Sequence, residues 1–165
     1  MRTIIHDLNE NDLIKFKFDD SDKIIDSNNC HNHCIGCFSC WTKHPTHCVY
    51  KDNYSSIVGY LKESDELVLI SKCRYGCYSN TLKQVIERII GYVLPYFTIR
   101  NDEIHHKSRY DNRIKLTVYA YGNINEDDKE VLENLVRANA VNFNAREFKV
   151  NFIENIEETK NVYID

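Results

Sequence analysis

Glu66-Leu67-Val68-Leu69-Ile70-Ser71 is an unbroken apolar run of strand length. A strand wetted on one side alternates apolar and polar residues. A continuous run is the pattern of a central strand of a parallel sheet, covered on both faces. On either side of it, short apolar runs alternate with helical patterns, the order expected of an α/β sheet. Strands are predicted at residues 3–6, 22–26, 66–71, 114–121 and 148–152, the last alternating and so an edge strand. A short helix is predicted at 54–62. A clearer one carries Leu82, Val85, Ile86, Ile89 and Ile90 at helical spacing, with Ser79 or Asn80 as its N-cap. Asn125 caps a third, whose first turn (Glu126, Asp127, Asp128) suits the helix dipole and whose apolar stripe is Val131, Leu132, Leu135 and Val136. Residues 95–113 are expected to form a long polar loop. Five strands separated by helices make a doubly wound sheet, in which ligands sit outside the carboxyl ends of the strands.

The chain has 165 residues, the size of one domain (1–165) with a sizeable core. With a net charge of -4 it lacks the basic character of a nucleic-acid partner. No apolar run approaches a membrane span, and residues 1–16 lack the basic and apolar regions of a signal peptide, so a cytoplasmic location is expected. In that compartment cysteines read as metal ligands, redox thiols or plain buried thiols rather than disulfides.

All seven cysteines fall between residues 30 and 77. The densest stretch runs Cys30-His-Asn-His-Cys34-Ile-Gly-Cys37-Phe-Ser-Cys40-Trp41 and reaches Cys48 after Pro45. Three closely spaced thiolates followed by a fourth after a loop can hold an iron–sulfur cluster. Zinc is an alternative, because His31, His33, His44 and His47 lie nearby. A packed loop of reduced thiols is the third reading. The x2 spacing of Cys37 and Cys40 also allows a thiol–disulfide pair, without the strand–helix start such enzymes have. The loop follows strand 2, and Cys73 and Cys77 follow strand 3. All seven cysteines are therefore expected on the ligand-binding edge.

Cys34-Ile-Gly-Cys37-Phe-Ser-Cys40-Trp41, with Pro45 and Cys48, resembles the signature loop of flavodoxin-like NAD(P)H-dependent oxidoreductases, of which the iron–sulfur flavoproteins are a branch. Ser71-Lys-Cys-Arg-Tyr-Gly76-Cys-Tyr-Ser79-Asn-Thr-Leu82-Lys83 resembles the family's strand-3 loop, and Tyr119-Ala-Tyr121-Gly122 falls where its third flavin loop begins. The resemblance implies a flavodoxin-like three-layer sandwich: a five-stranded parallel sheet of order 2-1-3-4-5 with helices on both faces. It implies FMN held by Lys72, Arg74, Tyr75, Gly76, Cys77, Ser79, Tyr121 and Gly122, with backbone N–H groups of 74–77 turned to the flavin. It implies a 4Fe–4S cluster or zinc on Cys34, Cys37, Cys40 and Cys48, and NAD(P)H as a transient cosubstrate. The electron acceptor would be a quinone, flavin or nitro compound. A homodimer would form through residues 95–113, with His105-His106 at the interface.

Three departures stand beside the resemblance. Strand 1 is followed by Asp7-Leu-Asn-Glu10-Asn11-Asp12, acidic and without glycine, where the family wraps the FMN phosphate in bare N–H groups at a helix start. About fifteen residues separate strands 1 and 2, barely a minimal crossover, so the first helix is expected to be short. Lys72 replaces a proline, and Thr46-His47 replace a glycine. The alternative function is thus a member without FMN, serving as a metal-binding or protein-interaction module. The two part at Asp7–Asp12: either this segment leaves room for a phosphate reached by Lys72 or Arg74, or it fills the position itself.

Overall fold

The computed structural model describes every residue except 158, 160 and 165. Its centre is an all-parallel sheet of β1 (Arg2–His6), β3 (Lys23–Asp26), β4 (Glu66–Lys72), β7 (Lys115–Tyr121) and β8 (Glu147–Ile153). The order is β3-β1-β4-β7-β8. β4, the strand of the opening run, lies in the middle, and Glu66 to Ser71 are buried. Alternate residues feed two cores. Ile5, Leu67, Leu69, Leu116 and Val118 face one; Ile4, Val68, Ile70, Tyr119 and Tyr121 face the other. Each fully buried side chain of this kind contributes about 1.5–3 kcal/mol.

The first core is closed by α3 (Ile57–Lys62), α4 (Asn80–Glu87) and α5 (Glu126–Asn142). Ser79 Oγ caps α4 by accepting from Leu82 N–H, and Asn125 Oδ1 caps α5 by accepting from Asp128 N–H. The second core is covered more thinly. The β1–β3 crossover holds only α1 (Glu10–Leu13) and β2 (Phe16–Lys17), which pairs with β9 (Val162–Tyr163) near the C-terminus. Leu8, Phe16 and Ile164 seal this face. Among the described residues, no helix is long and apolar enough to cross a membrane.

Residues 95–113 are not a loop. β5 (Val93–Arg100) and β6 (Glu103–Ser108) form an antiparallel hairpin. Its two-residue turn, Asn101-Asp102, has φ of 51° and 64°, the left-handed pair that matches strand twist and that Asn and Asp tolerate. Arg100 fixes the hairpin to the body by donating to Val141 O at 2.9 Å, at the negative end of α5. The adjacent histidines therefore sit on a strand. His105 bonds Glu103 and Asn142, while the His106 ring lies 5.0 Å from Trp41 and 4.9 Å from Phe97.

Candidate functional site

Between β3 and α3 the chain makes a long cysteine-rich excursion, regular only at α2 (Ser39–Thr42). Two side chains anchor it. The Asp52 carboxylate accepts from Arg88 Nη1 and Nη2 at 2.8 and 2.6 Å, from Asn32 Nδ2 at 2.9 Å and from Tyr54 N–H at 3.1 Å. Trp41 Nε1 donates to Ile90 O at 2.9 Å. Phe38 stacks on Trp41 at 5.1 Å and extends the aromatic row through His106 to Phe97. Phe38 holds φ at 54°, a conformation bulky residues rarely adopt; such positions cluster at ligand clamps.

Cys34, Cys37, Cys40 and Cys48 line one narrow cavity of about 120 Å³, with Phe38, Val49, Tyr50 and Ile90 among the other walls. These are the four cysteines singled out by spacing, and all are free thiols. Among the described residues, no three His, Cys, Asp or Glu side chains stand close enough to share a single metal ion. One zinc therefore does not fit this arrangement, and His31, His33, His44 and His47 are exposed, outside the cavity lining. Thiols spread around a cavity suit a polynuclear centre, in which each iron takes its own thiolate. Burial pushes the Cys40 thiol up, and neighbouring Cys48 and Cys34 push it further. A thiol so raised keeps its proton until a metal displaces it.

Arg88 is the cation of this cavity and was absent from the sequence reading. Its side chain is fully buried. Besides Asp52, Nη1 approaches Cys30 Sγ at 3.6 Å, and the Tyr50 and Tyr54 rings lie 5.4 and 5.6 Å from the guanidinium. Burial works against its charge, but Asp52, Cys30 and Cys48 outweigh it and hold the group firmly protonated. Its Nε is buried without a partner. A cation in the wall of the cavity favours an anionic occupant, as thiolate-ligated iron and sulfide are. A signal for Arg88 existed: it follows Val85 by three residues, at the C-cap of α4 and in line with its buried stripe.

Comparison with protein-family models, with curated proteins and with solved structures returned no match for this chain.

The expected FMN residues are divided between two cavities. Arg74, Tyr75, Cys77 and Ser79 line a cavity of about 610 Å³ beside the start of α4. Lys72, Tyr121 and Gly122 line another, of about 410 Å³, with Asn9, Asp12, Glu154 and Glu157. Gly76 lines neither. It occupies a tight turn with Tyr75, at φ of 68° and 53°, and a Cβ there would stand 2.5 Å from Val131 Cβ. Glycine is required by close packing on α5, not by approach to a flavin. The N–H groups of Arg74 and Cys77 are also spent, each donating to the other's carbonyl at 2.9 and 3.0 Å. Ser79 N–H donates to Ser71 Oγ.

Asp7 decides the phosphate question. Its carboxylate accepts from Lys72 N–H at 3.0 and 3.1 Å and from Ser71 Oγ at 3.2 Å, while its own N–H donates to Ile70 O. The chain thus places its own anion on the donors at the end of β4. The adjoining cavity is lined by Lys72 and by Asp12, Glu154 and Glu157, of which Asp12 is paired with Lys15 at 2.7 Å and Glu154 with Lys129 at 3.6 Å. These residues do not fit a phosphate dianion.

The seven cysteines do not share an edge. Cys73 and Cys77 lie before α4, whereas the four-thiol cavity lies against Arg88 and Ile90 at its far end, about 12 Å along the helix. The helix runs back against the strands, and its end meets the side where β4 begins: Tyr92 bonds Asn112, and Asn112 donates to Leu61 O and Ser64 O. A long excursion pinned by Arg88 and Trp41 can travel this far, and the switch-point rule does not govern it.

Proposed function

We propose that this chain is an electron-transfer oxidoreductase on a flavodoxin-like frame, with a 4Fe–4S cluster held by Cys34, Cys37, Cys40 and Cys48, passing electrons to a small acceptor. The observation that carries this reading is the meeting of those four thiols, and no other cysteine, on one cavity with a buried arginine in its wall. The flavodoxin-like assignment rests on the sheet, whose own five strands lie second-first-third-fourth-fifth, and on cover over both faces. When bound, such a cluster supplies one-electron transfer. The protein's part is to keep the cavity apolar, to place four thiolates and to offset their charge with Arg88.

A second reading, an NAD(P)H-dependent FMN oxidoreductase, draws on the cavity of about 610 Å³, where Arg74 and Lys83 flank an exposed Tyr75. Asp7 stands against a resident FMN. Visible absorption of anaerobically purified protein, with iron, zinc and flavin assayed on the same sample, separates the readings. A brown protein with about four irons per chain and no flavin is expected. A yellow protein with stoichiometric FMN would sink the first reading in favour of the second. Zinc without iron would leave a metal-binding module without redox function.

We assign the homodimer expected through residues 95–113 to the hairpin tip. In support, Ile99 and Ile104 are 73% and 74% exposed and face each other across the two strands. Ile99→Asp combined with Ile104→Lys is expected to halve the mass seen by light scattering. A wild-type protein that is already monomeric removes this assignment.

A further inference from the structure

A further cavity, of about 520 Å³, lies between α4, the end of α5 and the hairpin. No sequence motif pointed to it. Ile86, Ile90, Val93 and Phe143 give it apolar walls. Its size is that of sites for small organic ligands, in which such walls are joined by a few placed polar groups. It borders the four-thiol cavity, with which it shares Cys34, Gly36 and Ile90.

The charge around this space is one-sided. Two helices end on it: Ile86 and Glu87 belong to the last turn of α4, Asn139 and Asn142 to the last turn of α5, and Phe143 is the C-cap of α5. A helix C-terminus carries partial negative charge and favours a cation. Neither helix has a basic residue in its last turn. Arg88, the C-cap of α4, is paired with Asp52 and lines the four-thiol cavity instead; Arg100 reaches Val141 O without lining this one. No Lys or Arg lines it. The Glu87 carboxylate does, exposed and with no ion pair or hydrogen bond among the described residues. Asn139 donates its Nδ2 to Tyr78 Oη at 3.2 Å, so the amide oxygen is what it can offer a ligand. Asn142 is engaged with His105. Acceptors without a cation, over apolar walls, suit an apolar body that carries donors and positive charge. An ammonium group has three donors and no acceptor. A phosphate or carboxylate here would meet Glu87 and two helix ends of its own sign.

We propose that this cavity binds a primary amine with an apolar body, in its charged form, the ammonium held by Glu87 and the Asn139 amide oxygen. The site does not depend on the occupant of the four-thiol cavity.

The probe is 2-(1-naphthyl)ethylamine, titrated by calorimetry into the protein as purified. The titration is run at about pH 8, where an alkylamine is charged and an ordinary imidazole, such as that of His106 in the cavity lining, is neutral. 2-(1-Naphthyl)ethanol and 1-naphthylacetate carry the same ring without charge and with negative charge. Saturable binding of the amine is expected, at least about fivefold tighter than that of the alcohol and about tenfold tighter than that of the carboxylate. Glu87→Gln, at an exposed position, is expected to cut the advantage over the alcohol by about twofold or more. Ile86→Trp, which fills the cavity, is expected to abolish binding, with the fold checked by circular dichroism. Tyr75→Ala, in the cavity beside the start of α4, is expected to leave it unchanged. Absence of saturable amine binding overturns the proposal. So does equal binding of all three compounds, the mark of a nonspecific apolar surface. An advantage unmoved by Glu87→Gln, binding that survives in folded Ile86→Trp protein, or loss in Tyr75→Ala would overturn it as well.

Discussion

Serine in place of Cys37, Cys40 or Cys48 is expected to reduce the iron of anaerobically reconstituted protein from about four atoms per chain to about one or fewer, with loss of the brown absorbance. Serine at Cys30, Cys73 or Cys77 is expected to leave both intact. The contrast follows from placement: the first three line the four-thiol cavity, whereas Cys30 bonds outward to Asn32 O and Arg88, and Cys73 and Cys77 lie at the other end of α4. Cluster assembly displaces one proton from each thiol, so an uncharged hydroxyl cannot take a thiolate's place. Equal loss from all six variants would show that the cavity is not the iron site. Zinc uptake by wild type, unaffected by any of the three, would show the same.

Asp52→Asn is expected to destabilise the iron-free protein by about 3–5 kcal/mol, read from the urea midpoint. The amide oxygen of the variant still accepts one hydrogen bond, but the fully buried Arg88 guanidinium loses its counter-charge and, among the described residues, keeps only Asn32 O and the Cys30 and Cys48 sulfurs as further acceptors. Arg88→Met is expected to cost less, about 1–3 kcal/mol, because the Asp52 side chain keeps 22% of its surface in water and two other donors. The double variant is expected to recover part of the loss, since removing both charges leaves neither stranded. Additive losses would show that the pair is not coupled. The pH dependence has a definite sign. Hydrogen bonding to Arg88 holds the Asp52 carboxyl down at about 2, below its ordinary 3.8. A depressed carboxyl stabilises fully above its unfolded value and loses that contribution as pH falls through its folded one. The gap between wild type and Asp52→Asn is therefore expected to be constant near neutrality and to close between about pH 5 and 2. A gap that widens on acidification would exclude the mechanism.

Local sequence was enough for the frame because strand and helix burial is periodic over a few residues. The run at 66–71 could only be buried on both faces, and it lies at the centre of the sheet. Ser79 and Asn125 cap the helices their positions indicated. The short crossover after β1 left room for little more than the single turn of α1. The hairpin at 93–108 was passed over, although Asn101-Asp102 between alternating residues carries its signal, because the polar character of the stretch outweighed its period of two.

What the sequence determined by itself was the succession of the five sheet strands with α3, α4 and α5, and the identity of four cysteines with ligand spacing, both properties of near neighbours in the chain. The tertiary structure alone decided where those cysteines stand and what surrounds them. Arg88 reaches Asp52 across 36 positions, Asp7 reaches Lys72 across 65, and Gly76 packs on Val131. No local period encodes such pairings, because they arise where separate elements meet on the sheet. Those meetings turned a cysteine spacing into a cavity with a buried cation and set the Asp7 carboxylate on the donors at the end of β4.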